Sequence, residues 1–532
     1  MKDSTGGLPV LQLPAPQRAA VRRPAIRDVS LFRETPTRQR NCGGTGKVDR
    51  FSLFVWLPAW YSNGMDLCCP IMEFKEKRVT VMGLGRFGGG AGAVRFLADR
   101  GARVTVTDLQ SEEELADSLV QLDGLPLEAV HLGGHVEHDF LHTDLVVANP
   151  AVPRRNKFLE TASRAGIPIT SEMNLFWLFN RGQVIGVTGS NGKSTTAGLV
   201  HSILKSADVK CRLGGNIGTS LLPDVDDIEP DEWVVLELSS FQLDDLDRLP
   251  SSPHVAVVTN FSPNHIDWHG SLAEYRRAKQ SIVRWQTPDC AAVLNQDDPD
   301  VAGWPTFGRC YWFGETDLGR EGIFADGDDF VLRYSDVTAE FPLARWLKLP
   351  GRHNVQNAMA AVCAALAAGV RPSDVQAGLE AFCPLPHRLE FVAEVAGRTF
   401  FNDSLATTPE STIAALDAFD APVVLLAGGY DKQIDLTLMA ECISRRAKAV
   451  ALMGQTAEHL ESLIEFCSDE NAATARVCES FDDAFGWACQ QANSGDVVLL
   501  SPGCASYDWF RDFRQRGDRF TELVRESGKH RT

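Results

Sequence analysis

The chain has 532 residues, 52 Lys or Arg against 70 Asp or Glu, and a net charge of -18. At roughly 100–200 residues per domain this length holds three or four domains, and 44% apolar residues supply ample cores. The acidic balance excludes general nucleic-acid binding, which needs a basic surface. No apolar run near the start approaches the roughly 20 residues of a membrane span. The run Phe51 to Tyr61 is interrupted by Ser52 and Pro58, and it lies too deep for a signal peptide.

The charge is uneven. Residues 1–71 carry ten Lys or Arg and five Asp or Glu, a net of +5, which leaves 42 against 65, or -23, for the rest. This stretch mixes Pro, Arg, Gln and Thr without a helical or strand period and reads as disordered. Met72 or Met65 is expected to be the true start. The 13 cysteines are scattered, with no C-x-x-C, which fits a reducing cytoplasm and not a disulfide framework.

From residue 78 onward short β-branched runs alternate with amphipathic segments. Strands are predicted at Arg78–Met82, Arg103–Thr107, Asp144–Ala148, Val184–Val187, Trp233–Leu238, Val255–Thr259, Val423–Ala427, Ala449–Met453 and Val497–Leu500. Helices are predicted at Gly89–Arg100, Lys193–Lys205, Leu272–Val283, Ser411–Phe419, Leu436–Arg446 and Tyr507–Glu526. Such alternation predicts an α/β protein with parallel sheets. Two glycine-rich strand-to-helix turns predict at least two nucleotide-type folds in one chain.

The first turn, Gly83-Leu84-Gly85-Arg86-Phe87-Gly88, is G-x-G-x-x-G between a strand and a helix, a place where the helix N-terminus favours an anion. Asp108 follows the next strand and has the position of a ribose ligand. A dinucleotide, another nucleotide and a purely structural turn all remain open here. Further on, His131, His135, His138 and His142 recur at helical steps. Gly133-Gly134 argues against a continuous helix there, so solvated histidines are expected in place of a metal stripe.

The second turn is the stronger signal. Val184-Ile185-Gly186-Val187-Thr188 runs into Gly189-Ser190-Asn191-Gly192-Lys193-Ser194-Thr195. Backbone amides of such a loop wrap phosphates, Lys193 neutralises them and Ser194 is placed to bind Mg²⁺. Five residues, not the four of a strict P-loop, separate Gly186 from Gly192. ATP binding is predicted, and it weakens a hydride-transfer reading of the first turn. Glu237 at the end of an apolar strand is a candidate Mg²⁺ ligand. His265 is either a metal ligand or a loop histidine, and Lys279 on the following helix taken alone is a solvated lysine.

These motifs, with Gly214-Gly215-Asn216-Ile217-Gly218 and Asn264-His265-Ile266-Asp267, resemble the central domain of the Mur ligases, the ATP-dependent amide-forming ligases of peptidoglycan precursor synthesis. Leu349-Pro350-Gly351-Arg352-His353-Asn354 and Asn357 fit the same family. Pro386-His387-Arg388, Asn402-Asp403-Ser404, Gly428-Gly429-Tyr430-Asp431-Lys432 and Ser501–Asp508 resemble its D-glutamate-adding branch. The resemblance covers roughly residues 75–530 and implies a Rossmann-like N-terminal domain over 72–178, a P-loop-type central ATPase domain over 179–383 and a Rossmann-like C-terminal domain over 384–532. It implies D-glutamate addition to UDP-N-acetylmuramoyl-L-alanine through an acyl phosphate, with ATP and two Mg²⁺, in a cytoplasmic monomer with no nucleic-acid or membrane partner. The first domain would bind the uridine nucleotide, not NAD.

The resemblance also implies roles. Lys193, Glu237, His265 and Lys279 would be catalytic, with Ser194, Glu237, His265 and a carbamylated Lys279 on the metals. Gly189 to Thr195, Asn357, Arg388 and Asp403 would hold ATP. Leu84, Gly85, Arg86, Asp108 and Asn216 would face the uridine substrate, and Thr407, Lys432, Ser506 and Phe513 would face D-glutamate. The chain departs from the pattern at Leu405, where many members carry Lys, and at Asn264, where Asp is frequent. It departs again at Arg86-Phe87-Gly88-Gly89-Gly90, where a Thr-Gly pair is common.

Overall fold

The computed structural model describes residues 73–529 except 86–87, 154, 218–219, 327–328, 336, 348, 384–385, 433 and 468–472. The expectations for residues 1–72 and for Arg86 lie outside the described residues. Three sheets follow one another along the chain, and all described residues fall in one unit, Met65–Thr532.

The first sheet comprises β1 (Arg78–Met82), β2 (Arg103–Thr107), β3 (Leu127–His131), β4 (Leu145–Ala148) and β5 (Ile169–Thr170), in the order 3-2-1-4-5. All its pairings are parallel. Strand order reverses between β1 and β4, and the glycine turn after β1 lies at that crevice, where such sheets bind ligands.

The second sheet comprises β6 (Gln183–Thr188), β7 (Cys211–Gly215), β8 (Trp233–Glu237), β9 (Val255–Val258), β10 (Ala291–Asn295), β11 (Arg309–Gly314), β12 (Gly322–Asp326), β13 (Asp329–Tyr334) and β14 (Val337–Glu340). Its order is 14-13-12-11-10-9-6-8-7, parallel except for the pairs made by β13. Every residue of β8 is buried, which is why it reads as a continuous apolar run and carries its one acid at the end.

The third sheet comprises β15 (Glu390–Val395), β16 (Arg398–Asn402), β17 (Val423–Gly428), β18 (Ala447–Met453), β19 (Thr474–Val477) and β20 (Val497–Leu500), in the order 15-16-20-17-18-19. Only the β15–β16 pair is antiparallel. The carboxyl ends of β16, β20 and β17 therefore lie side by side.

One apolar core runs from the first sheet into the second and includes Val79, Leu97, Val184 and Leu236. The helix Glu172–Phe179 bridges these sheets, with Trp177 Nε1 donating to Ser251 at 3.0 Å. The last helix starts at Phe513, not Tyr507. Asp512 accepts from the Gln515 amide at 3.0 Å and so fixes the start, as acidic and hydroxyl residues do at helix N-termini. The helix predicted over Ser411–Phe419 occupies Pro409–Leu416, Pro taking the first turn where its missing N–H costs nothing. No described helix is long and apolar enough to cross a membrane.

Candidate active site

The loop after β6 opens the helix Lys193–Ser206, and Gly192 at its N-cap has φ 81° with no side-chain cap. This left-handed turn leaves the first helical amides directed outward, an arrangement suited to phosphate. The loop is fixed from outside. Asn191 N donates to Asn260 Oδ1 (2.8 Å) and Thr259 Oγ1 donates to the Asn191 carbonyl (2.6 Å). The Ser190 hydroxyl donates to the Ser262 carbonyl at 2.9 Å, accepts from Ser262 N at 2.8 Å and lies 3.1 Å from the Tyr275 hydroxyl. Ser190 thus ties the loop to the segment leading to His265. Asn357 packs directly under Gly192 and donates to Asn354 Oδ1 at 3.3 Å.

Two lysines meet at this loop. Lys193 Nζ donates to the carbonyls of Gly189 (3.1 Å) and Ser190 (2.9 Å). Lys279, 2% exposed, donates to the Gly189 carbonyl at 2.7 Å. Burial, reinforced by Lys193 and opposed by Glu237, holds Lys279 well below the ordinary lysine value. Burial also lowers Lys193, with Glu237 opposing and Arg388 adding to the shift. Lys279, which taken alone reads as a solvated lysine, is a dry amine beside this loop, the environment that the carbamylation implied by the resemblance requires.

Glu237 is 2% exposed at the carboxyl end of β8. Asn216 Nδ2 donates to its Oε1 at 2.9 Å, while Oε2 is buried without a hydrogen-bond partner. An orphaned carboxylate oxygen near a serine-bearing phosphate loop fits a divalent cation. Mg²⁺ commonly takes one or two carboxylates plus phosphates and waters and needs no all-protein cage. That matters here, because among the described residues no three His, Cys, Asp or Glu gather at one point. His265 has φ 52° at the start of the helix Ile266–His269. The other histidines form no stripe: His131 pairs with Asp139 at 2.7 Å, His135 lies 2.8 Å from Thr107 Oγ1, and His138 stacks on His142.

The third sheet reaches this loop through Arg388, whose Nη1 donates to Ser194 Oγ at 3.4 Å. Both neighbours of Arg388 have positive φ, His387 at 64° and Leu389 at 43°. Such strain needs support, and it has it. Leu389 N donates to Asp403 Oδ1 (3.1 Å), His387 N to Glu390 Oε2 (2.8 Å), and His387 Nδ1 lies 3.0 Å from Asn402 Nδ2. Asp403 also accepts from Ser501 Oγ at 2.8 Å, and burial pushes its carboxyl up to about 7. Between the second and third sheets lies a narrow cleft of about 110 Å³. Asn191, Gly192, Thr195, Asn357, Arg388 and Asp403 line it, together with Leu405.

The remaining expected contacts lie at sheet ends. Thr407 follows β16, Lys432 follows β17 and Ser506 follows β20, so three neighbouring strands deliver them; Phe513 opens the last helix. Ser506 is buried, and Lys432 is exposed with its ammonium 6.0 Å from the Tyr507 ring centroid. Arg516, 1% exposed, was not foreseen. It donates to Ser404 Oγ and O at 3.0 and 2.9 Å and to the carbonyls of Cys504 and Ala505 at 3.1 and 3.3 Å, joining the loops after β16 and β20. Its helical face also carries Phe513, Phe520 and Val524, and that periodicity was the available signal.

After β1, Leu84 is buried in the core. Asp108 turns inward and accepts from Gly85 N at 3.1 Å and Gln110 N at 2.9 Å, so its carboxylate closes the glycine turn. Gly88 caps the helix Gly89–Asp99 at φ 85°, again without a side-chain cap.

Comparison with known proteins agrees with these three sheets. The Mur ligase MurD-like N-terminal domain matches residues 77–171, the Mur ligase middle domain 187–365, and the Mur ligase glutamate ligase domain 387–504. A UDP-N-acetylmuramoylalanine–D-glutamate ligase from Acidobacterium capsulatum is 39% identical over 85% of this chain and 97% of its own. The Roseiflexus protein of the same name is 40% identical over 85% and 99%. Among solved structures, the UDP-N-acetylmuramate-alanine ligase MurC of Thermotoga maritima has TM-score 0.57 at 19% identity, covering 85% of this chain and 100% of that one. MurF of the same organism, in complex with ADP, has TM-score 0.52 at 17% identity, covering 86% and 99%. At such identities the structures speak for the fold alone, whereas the sequence relatives settle the family. The chain belongs to the Mur ligase family, within the group named UDP-N-acetylmuramoylalanine–D-glutamate ligases.

Proposed function

We propose that this protein adds D-glutamate to UDP-N-acetylmuramoyl-L-alanine with hydrolysis of ATP, in peptidoglycan precursor synthesis. The observation that carries the reading is the 39–40% identity to ligases of that name over nearly their whole length. We assign the uridine substrate to residues 72–178, ATP to 179–383 and D-glutamate to 384–532.

An alanyl carboxylate oxygen attacks the γ-phosphorus of ATP, the bond to the ADP oxygen breaks, and an acyl phosphate forms. The D-glutamate nitrogen then attacks the acyl carbon, the nitrogen loses a proton, and the carbon–oxygen bond to phosphate breaks. Both steps gather negative charge on phosphoryl oxygens, so positioning and electrostatic stabilisation dominate. In this reading the amides of Gly189 to Thr195 hold the phosphates and Lys193 supplies positive charge. Arg388 would add a second cation from the third sheet. Ser194, Glu237 and His265 are the residues we assign to Mg²⁺, which when bound would offset the phosphoryl charge. Lys279 we read as a carbamylation site. CO₂ adds only to a neutral amine, and the dry environment of Lys279 favours that form. Its carbamate would serve a second cation.

Thr407, Lys432, Ser506 and Phe513 are the residues we assign to D-glutamate, Lys432 by charge and Ser506 by its hydroxyl. Leu84, Gly85, Arg86, Asp108 and Asn216 remain our candidates for the uridine side, Asp108 through the turn it closes. We read the protein as a monomer, as the family resemblance implies. ATP as co-substrate and the free cysteines among the described residues support a cytoplasmic setting. Phosphate release with UDP-N-acetylmuramoyl-L-alanine, ATP and D-glutamate, each omitted in turn, tests the reading. Release should need all three, and release that ignores D-glutamate or accepts another amino acid equally well refutes it.

A further inference from the structure

Glu237 and His265 come from segments far apart in sequence. After Glu237 the chain turns through Ser239 into the helix Ser240–Leu246. His265 opens the helix Ile266–His269. The ring of His265 belongs to an exposed residue in a left-handed backbone conformation, so its direction depends on what packs against it.

Two interactions join these segments. The ring of Phe241, four residues past Glu237, contacts His265 edge-on at 4.9 Å and stacks on His269 at 5.6 Å with an 8° interplanar angle. Trp268 meets Phe241 at 4.7 Å and His269 at 4.6 Å. Separately, His269 Nε2 lies 3.0 Å from the hydroxyl of Ser240, which is buried. Tyr275 stands behind both imidazoles, 5.3 Å from His269 and 6.3 Å from His265. Its hydroxyl is held at Ser190, so this cluster is anchored to the phosphate loop.

We propose that His269, bonded to Ser240 and stacked on Phe241, is a positioning residue that sets the direction of the His265 ring relative to Glu237. The proposal rests on reading Glu237 and His265 as divalent-cation ligands. Ligand pairs from two mobile segments bind weakly unless their orientation is set beforehand, and outer groups that orient ligands typically contribute 10–100-fold in affinity.

The test uses the full chain with saturating ADP and Mn²⁺ as the probe, free Mn²⁺ being read by electron paramagnetic resonance. Glu237→Gln removes a candidate ligand and should weaken Mn²⁺ binding by about 30-fold or more. His269→Phe keeps the stack and loses the bond, and Ser240→Ala loses the same bond from the other side. Each should weaken Mn²⁺ by about tenfold, the double variant no more than either alone, while ADP affinity without metal is unchanged. His269→Gln, whose amide can reach the position of Nε2, should recover part of the loss. A Mn²⁺ affinity within twofold of wild type in both single variants, with Glu237→Gln impaired, overturns the proposal. An unimpaired Glu237→Gln overturns the underlying reading of the metal site instead. Ser240→Ala removes one hydroxyl and keeps the test decisive if His269→Phe does not fold.

Discussion

Gly192→Ala isolates one contact in the phosphate loop. Gly192 has φ +81°, and an added Cβ would lie 3.0 Å from Asn357 Cγ and overlap its Oδ1. The left-handed conformation costs an alanine about 1–2 kcal/mol. Asn357 is buried and bonded to Asn354 and Thr196, so making room breaks hydrogen bonds worth about 0.5–1.5 kcal/mol each. The loop can avoid both costs by distorting, but bound nucleotide demands the native turn. The minimum of about 2 kcal/mol then appears as roughly 30-fold weaker ADP binding by calorimetry. In an Asn357→Ala background the clash is absent, and adding Gly192→Ala should cost only the left-handed strain, about tenfold. Gly88→Ala is the control: φ is +85° with nothing within 4 Å of the added Cβ, and ADP binding should not change. Less than a threefold loss in Gly192→Ala, or an equal loss in the Asn357→Ala background, refutes the steric argument.

Lys279→Ala should cut turnover by at least about 100-fold, with part regained on adding formate or acetate; an unimpaired variant rules out a role for the carbamate. Asp403 gives a pH prediction. Its carboxyl is raised to about 7, so the stability of the protonated form is fully present below the ordinary carboxylate range and is lost as pH rises through 7. Thermal unfolding of the unliganded protein should move down from pH 5 to pH 8, and Asp403→Asn should remove part of that slope; parallel profiles would contradict it. Arg516→Ala leaves the Ser404 and Cys504 carbonyls without their donor, while the Ala505 carbonyl keeps the Tyr430 amide, and should destabilise the protein by about 3 kcal/mol in urea, read by tryptophan fluorescence. A loss below about 0.5 kcal/mol would mean that the loops hold without it.

The sequence by itself determined the local elements and the chemistry of the phosphate loop. Arg78–Met82, Arg103–Thr107 and Val497–Leu500 were legible to the residue, because each is a short β-branched or apolar run with turn residues close by. Gly189 to Gly192 before Lys193-Ser194 announced a glycine-rich loop opening a helix, a signal written in adjacent residues; the left-handed φ of 81° at Gly192 came from the structure. Strand neighbours were not legible. β20 inserts between β16 and β17, bringing Asp403, Ser501 and Lys432 to one edge, and only long-range packing decides that order. The same holds for Arg388 reaching Ser194 and for Lys279 losing its water. Sequence spacing carries no record of burial across 90 or more residues, and desolvation, which depends on every element packed around a group, sets how a lysine or a carboxylate behaves. The opening charge asymmetry stays a property of sequence, since residues 1–72 lie outside what the structure describes.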